Sequence, residues 1–173
     1  METLLSKHRS RCPRRKVNAT VYDYQRAMAN TAKKPSATRI QYAALPYRRR
    51  GKSRTEVMLV TSRETGRWII PKGWPKSRKA PYACAAREAL EEAGVVGKVA
   101  RSSIGSYSYQ KRLKRGKVVV CQVDVFPLEV KRLKKSWPEK GEREVQWFSP
   151  TAAAETVSEP VLSDIIRNLP KRL

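Results

Sequence analysis

The sequence is poor in histidine and cysteine. Its one histidine, His8, lies in a basic segment near the N-terminus that is short of large apolar residues. A Ser-His-Asp mechanism, a histidine phosphoenzyme within the domain and a histidine-rich zinc site are therefore excluded. The cysteines are Cys12, Cys84 and Cys121, and their spacing supports neither a zinc site nor a disulfide framework. Reduced thiols in a cytoplasmic protein are the simplest interpretation.

Long apolar runs are missing as well. No segment approaches the length of a transmembrane helix, and the first residues lack the apolar core of a secretion signal. We therefore expect no membrane span and a cytoplasmic location. A basic organellar presequence is the alternative, because the first residues are rich in arginine and serine.

Acidic residues are scarce relative to basic ones. The chain has 15 Asp and Glu against 38 Lys and Arg, which gives a formal net charge of +23. Such a charge predicts polyanionic partners: nucleic acid, polyphosphorylated small molecules or anionic surfaces. A solvated basic surface without a specific partner is the alternative.

The chain divides near Ser36 into two parts. Residues 1–36 are basic and poor in large apolar side chains, which predicts a mostly disordered arm. For residues 37–173 the sequence pattern predicts one α+β domain with a mixed sheet and helices on both sides. Strands are expected at 38–47, 56–62, 68–70, 99–109, 118–126 and 145–148. Helices are expected at 81–93 and 149–154 and from Pro160 onward, where Val161, Leu162, Ile165, Ile166 and Leu169 would form the buried face.

Three glutamates converge on the helix predicted at 81–93. Glu88, Glu91 and Glu92 share one face, because residues three and four apart are neighbours on a helix. The opposite face would carry an apolar stripe of Ala86, Leu90 and Ala93. Like charges repel each other unless a cation neutralises them, although a solvated helix tolerates such repulsion. The Pro-Lys-Gly loop before the helix and Gly94 after it favour a functional site at the glutamates over a merely solvated helix face.

This arrangement resembles the Nudix box, G-x5-E-x7-R-E-U-x-E-E-x-G-U with U aliphatic. The matching residues are Gly73, Arg87, Glu88, Glu91, Glu92, Gly94 and Val95. The box glutamate that should precede Arg87 is replaced by Lys79. The resemblance implies a Nudix α/β/α sandwich over about residues 37–170. Segments 57–63, 66–73 and 144–148 further resemble the diphosphoinositol polyphosphate phosphohydrolases.

The resemblance also implies a metal site. Glu91 and Glu92 would be the principal ligands of Mg²⁺, with Mn²⁺ as a possible substitute, and Glu88 a third ligand or the general base. The Gly73 carbonyl commonly supplies another ligand, and Arg87 would orient the glutamates. An acid outside the box often takes part, for which Glu142 and Glu144 are the candidates. Carboxylate oxygens suit Mg²⁺, a hard cation that shares its coordination shell with water and substrate phosphates.

Basic residues around this loop are candidates for binding an anionic, phosphorylated small-molecule substrate. They are Arg63, Lys72, Lys76, Arg78 and Lys79. Lys72 is favoured because it lies within the Pro-Lys-Gly loop, and Arg63 because of the family resemblance. Lys79 would act as a selector for highly charged substrates. A solvated loop is the alternative for Lys76, Arg78 and Lys79.

Three functions follow from these patterns. The first is a Mg²⁺-dependent Nudix hydrolase that cleaves a phosphoanhydride in a diphosphoinositol or dinucleoside polyphosphate. The second is a Nudix pyrophosphatase that acts on ADP-ribose or nucleoside triphosphates. The third is a nucleic-acid-binding protein with a degenerate box, marked by Lys79. The retained glutamates of the box argue against the third.

Removal of residues 1–36 tests the predicted arm. The melting temperature should stay nearly unchanged, because the segment has too few apolar residues to join a core. Salt-sensitive association with RNA or DNA should weaken, because each lost cation–phosphate contact reduces the salt dependence of binding. Melting curves and binding titrations at several salt concentrations measure both effects. A large fall in melting temperature would show that the segment is packed.

Overall fold

The computed structural model describes residues 38–51, 54–113 and 116–173. The strands are β1 Arg39–Arg50, β2 Arg54–Thr61, β3 Trp68–Ile69, β4 Lys72–Gly73, β5 Val95–Val99, β6 Gly105–Arg112, β7 Val118–Leu133 and β8 Val145–Phe148. The helices are α1 Pro81–Ala93, α2 Pro150–Thr156 and α3 Pro160–Asn168, followed by a 3₁₀ turn, Leu169–Arg172. The predicted arm lies outside the described residues, so its boundary stays a prediction. None of the described helices is long and apolar enough to cross a membrane.

A parallel pair of long strands forms the centre of the mixed sheet. Strands β1 and β7 run in register from the Arg39–Cys121 pair to the Tyr47–Glu129 pair. The other edge of β1 pairs with β4 and then with β2, which in turn carries β3 and β8. The other edge of β7 pairs with β6 along its first half and with β5 along its second. The sheet therefore brings the ends of β1, β4 and β6 close together.

The core lies on both faces of this sheet. Residues of β7 alternate between the faces: Val123 and Val125 pack on the side of α2 and α3, and Phe126 and Leu128 on the side of α1. Strands β1 and β2 alternate in the same way. Strand β7 is buried at successive positions only from Val125 to Leu128, whereas Val118 and Gln122 are exposed, so the apolar run at 118–126 is covered on both faces only at its end. The predicted α/β/α sandwich is confirmed.

Two local predictions were wrong. The strand expected at 99–109 is replaced by two strands, β5 and β6, with a loop between them. Periodicity does not reveal β5, because it contains Gly97 and Lys98 and its pairing with β7 shifts register at Gly97. A side chain at Gly97 would overlap the Glu129 carbonyl, so the two backbones need glycine there. In α3, Val161 is 52% exposed rather than buried.

Helix α1 begins and ends where the sequence predicted. Pro81 occupies its first turn, where the N–H that proline lacks would be unpaired. Gly94 ends it in the left-handed conformation with φ of 67°, and its N–H donates to Leu90 O and Ala89 O. The Trp137 ring covers Gly94, and the Lys134 N–H donates to the Gly94 carbonyl. The chain after β7 is thereby attached to the end of α1.

Gly94→Ala should destabilise the protein more than Gly66→Ala. The two glycines have nearly the same φ, 67° and 65°, so an alanine costs about 1–2 kcal/mol of left-handed strain at either position. A Cβ at Gly94 would also come within 2.5 Å of the Trp137 ring, whereas nothing lies within 4 Å at Gly66. Overpacking typically adds about 1–3 kcal/mol. Urea unfolding of both variants measures the difference, and equal losses would contradict a role for Trp137.

Candidate active site

Two of the three box glutamates point into the protein. Glu88 is 9% exposed and Glu92 is 5% exposed. They share the buried face of α1 with Ala85 and Ala89, at the spacing of residues three and four apart. The small alanines let the helix approach the sheet closely, which brings the two carboxylates against the β4 loop.

The predicted orientation of α1 was therefore wrong. Its buried alanines are Ala85, Ala89 and Ala93, while Ala86 and Leu90 are only half-buried. A charged residue is seldom buried, so the sequence pattern favoured a solvent-facing glutamate stripe. Glu91 alone of the three turns outward, where its Oε1 accepts a hydrogen bond from Arg87 Nε at 2.7 Å. This is the Arg87–Glu91 pair that the four-residue spacing predicts.

Glu88 lies directly against Gly73. A Cβ built on Gly73 would overlap the Glu88 carboxylate, so this glycine leaves room for an acid. Burial raises the pKa of Glu88, the negative charge of Glu91 raises it further, and Lys76 opposes the shift. Gly73 and Glu88, which the sequence assigned to one site, are thus in contact.

Glu92 joins the β4 loop to a residue far along the chain. Its Oε2 accepts a hydrogen bond from the Lys72 backbone N–H at 3.3 Å, and its Oε1 accepts one from Arg143 Nη2 at 2.5 Å. Burial raises the pKa of Glu92 to about 7, and the positive charges of Arg143 and Lys72 oppose that shift. The Arg143 pair favours the ionised form of this carboxylate.

Arg143 is a residue that the sequence reasoning missed. Its side chain is 6% exposed and donates to three groups: the Glu92 carboxylate, Glu139 Oε2 at 2.7 Å and the Thr61 carbonyl at 2.9 Å. Glu139 was also missed: it accepts from Arg143, and its negative charge raises the pKa of both Glu88 and Glu92. Glu142 pairs with Arg63, and Glu144 contacts Thr61 through its backbone. The only sequence signal was the four-residue spacing of Glu139 and Arg143 just before β8.

A basic pocket of about 270 Å³ opens beside Glu92. Six cationic side chains line it: Arg63, Arg67, Lys72, Lys111, Arg112 and Arg143. Two acids, Glu64 and Glu92, line it as well. Burial lowers the pKa of Lys72 to about 8, an effect that Glu92 opposes and Lys111 reinforces. This surplus of positive charge suits a ligand with several negative charges.

The predicted substrate residues fall into two groups. Arg63 and Lys72 line the basic pocket. Lys76, Arg78 and Lys79 are not among the residues that line it, although Lys76 is near enough to act on the pKa of Glu88. Lys79 instead lines a separate groove on the outer side of α1, together with Arg87 and Glu91.

Two of the remaining pocket cations come from a distant part of the chain. Lys111 and Arg112 end β6, and the antiparallel pairing of β6 with β7 sets their position. Lys111 also lies over the Trp74 ring, at 5.3 Å from its centroid. Arg67 pairs with Glu159 at 3.5 Å. The positions of Lys111 and Arg112 depend on strand pairing, which the sequence pattern alone does not reveal.

The donor chemistry of Glu88 and Glu92 fits a divalent cation. Both offer carboxylate oxygens one turn apart on α1, both are buried, and both have a raised pKa that a nearby cation would lower. The Gly73 backbone lies beside them. Within the described part of the chain, no three His, Cys, Asp or Glu side chains are already grouped for a metal. Glu91 would have to leave Arg87 to become a third ligand.

Comparison with known proteins identifies the family. The family model for the NUDIX domain matches residues 38–169, well over half of the chain. The chain belongs to the Nudix family. The match includes every residue of the predicted box and both strands at the centre of the sheet.

Curated relatives include plant and mammalian Nudix proteins. Nudix hydrolase 21, chloroplastic, from Arabidopsis thaliana is 30% identical over 110 residues, which cover 63% of this chain and 54% of the relative. Diphosphoinositol polyphosphate phosphohydrolase 2 from Rattus norvegicus is 32% identical over 125 residues, which cover 69% and 65%. The chain spans between about half and two thirds of the length of the first curated relatives it matches.

Solved structures show the same fold. The crystal structure of C. elegans Ap4A hydrolase superposes with a TM-score of 0.56 at 15% identity, covering 78% of this chain and 98% of that one. At this identity the similarity concerns the Nudix fold alone. The sandwich described above is therefore the Nudix sandwich.

Gly73→Ala tests the contact between Gly73 and Glu88. The new methyl group should push the carboxylate away from the loop toward solvent, and so lower the pKa of Glu88 toward its ordinary value. Unfolding free energy should change by no more than about 1 kcal/mol, because only the mobile end of a side chain has to move. Carbon-13 NMR titration of the glutamate carboxyls measures the shift. An unchanged Glu88 titration would show that the carboxylate does not lie against Gly73.

Proposed function

We propose that this Nudix protein is a Mg²⁺-dependent hydrolase that cleaves a phosphoanhydride bond in a polyphosphorylated substrate. A diphosphoinositol polyphosphate or a dinucleoside polyphosphate is the substrate class. The observation that carries the proposal is the basic pocket, whose six cations adjoin the buried carboxylate Glu92. A large positive pocket beside paired carboxylates suits an anionic substrate held against a metal site.

Glu88 and Glu92 are the residues we assign to the metal, with Glu91 as a possible third ligand. When bound, Mg²⁺ neutralises charge on phosphate oxygens and activates water, and Mn²⁺ can substitute for it. If Glu88 does not coordinate the metal, it is our candidate for the general base, since burial raises the pKa of its carboxyl. The Gly73 backbone lies against Glu88 and keeps its position defined.

The pocket arginines and lysines would hold and orient the phosphates. Arg63 and Arg112 can grip a phosphate with two parallel hydrogen bonds, whereas Lys72 and Lys111 act as point charges. Lys72 lies in the strand that leads into Gly73, so it would align the phosphate nearest the carboxylates. The name of the rat relative, a diphosphoinositol polyphosphate phosphohydrolase, supports this substrate class.

Two further assignments complete the proposal. We infer a cytoplasmic location, because three cysteines without paired spacing suit a reducing compartment. We also propose that Lys79 affects the preference for highly charged substrates. It would act indirectly, through Arg87 and Glu91, which line the same groove. Direct contact between Lys79 and a substrate in the basic pocket is not supported by this placement.

A turnover screen tests the proposal. The substrates are a diphosphoinositol polyphosphate, a dinucleoside polyphosphate, ADP-ribose and a nucleoside triphosphate, each with Mg²⁺, with Mn²⁺ and with a chelator. We expect metal-dependent turnover with the highest kcat/KM for one of the first two. Glu92→Gln should lower kcat/KM at least about hundredfold, because the loss of metal-held charge stabilisation amounts to several kcal/mol.

The matched control is Glu155→Gln. Glu155 is an exposed glutamate of α2, on the opposite side of the sheet from α1, and this variant should behave as the wild type. A preference for ADP-ribose or nucleoside triphosphates would support the second function instead. Absence of turnover on every substrate, together with tight RNA binding, would overturn the proposal in favour of a degenerate Nudix site.

A further inference from the structure

Arg143 is already bonded to the carboxylate of Glu92, which we assign to the metal. Its Nη2 bonds Glu92 Oε1 at 2.5 Å, while Glu92 Oε2 accepts from the Lys72 backbone. The same arginine lines the basic pocket. One guanidinium thus contacts both the candidate metal ligand and the space assigned to the substrate.

We propose that Arg143 is a positioning residue that competes with the divalent cation for Glu92, and that its Nη2 group, released when the cation binds, donates to a substrate phosphate in the basic pocket. The proposal rests on the function proposed above. Arg143 would thereby couple metal binding to anion binding.

The physical reason is that two cations cannot share this carboxylate without a penalty. A divalent cation at Glu92 Oε1 would lie within a few ångströms of the Arg143 guanidinium and repel it. Arginine does not lose its proton in proteins, so it cannot relieve that repulsion by becoming neutral. Arg143 would keep Glu139 as a charged partner, but its Nη2 group would become a buried donor without an acceptor, which is unfavourable. An anion that accepts from Nη2 would relieve this cost.

A phosphate bound in the basic pocket can be that anion. Arg143 can keep its contacts with Glu139 and the Thr61 carbonyl, because these use Nε and Nη1, while the bond from Nη2 to Glu92 breaks. A phosphate in the basic pocket would accept the released donor in a charge-assisted hydrogen bond. Since coupling of this kind is reciprocal, a bound phosphate should also strengthen metal binding by the same factor.

Metal affinity of an Arg143→Gln variant is the direct test. We would titrate Mn²⁺ into the full chain without substrate at pH 8 and follow free Mn²⁺ by electron paramagnetic resonance. Arg143→Gln should bind Mn²⁺ about tenfold more tightly than the wild type, in line with the effect of one neighbouring charge on an ionisable group. Arg67→Gln is the matched control: Arg67 lines the same pocket but pairs with Glu159, so the Mn²⁺ affinity of this variant should change much less.

Unchanged or weaker Mn²⁺ binding in a folded Arg143→Gln protein would overturn the proposal. No Mn²⁺ binding in either the wild type or this variant would overturn both this proposal and the proposed function. Tighter Mn²⁺ binding in the variant, with no turnover of any substrate by the wild type, would overturn the proposed function alone.

A second experiment leaves Arg143 in place, in case Arg143→Gln does not fold. Glu92→Gln should release Arg143, because a neutral amide holds a guanidinium less firmly than a carboxylate does. Glu64→Gln removes the same charge from the pocket, and Glu64 is not among the three groups to which Arg143 donates. By calorimetry in chelator, Glu92→Gln should bind pyrophosphate several-fold more tightly than Glu64→Gln does. Equal affinities would show that Arg143 is not held back by Glu92 and would overturn the proposal.

Discussion

The buried ion pair between Glu92 and Arg143 is the constraint on which the site depends. Glu92 comes from α1, its Lys72 contact from β4, and the acceptor groups of Arg143 from β2 and the segment before β8. Removal of one partner of a buried pair typically costs about 3–5 kcal/mol, because a charge is left without compensation. Four parts of the chain must therefore be in place together, and their meeting point is one wall of the basic pocket.

The charge distribution around this pair is unfavourable for stability alone. Six cations line the pocket, against the two acids Glu64 and Glu92. Their mutual repulsion disfavours the compact state, and burial lowers the pKa of Lys72 to about 8. A concentration of positive charge in one cavity does not stabilise the folded protein, whereas a polyanionic ligand would neutralise it. Ion pairs such as Arg63–Glu142 and Arg67–Glu159 offset part of the repulsion at the rim.

The sequence predicts the framework of this fold better than the details of its site. Proline at the start of α1 and glycine at its end are local signals, so the bounds of the helix follow directly. Runs that are apolar at every position predict central strands. The buried face of α1 was predicted one residue away from its true position, because hydrophobic patterns assign glutamates to solvent. Arg143, Lys111 and Arg112 reach the pocket through strand pairing and long-range ion pairs, for which a single sequence has no signal.

The lysine at position 79 is best understood from the contacts of Arg87. An acid at this position would stand beside Arg87, since both residues line the groove on the outer side of α1. With Lys79 there, Arg87 takes Glu91 as its partner at 2.7 Å, and Glu91 is turned outward. The two glutamates that remain inside, Glu88 and Glu92, are those in contact with Gly73 and Lys72. The departure from the box at position 79 therefore fits the metal site that we propose, in which Glu88 and Glu92 would be the ligands while Glu91 stays paired with Arg87.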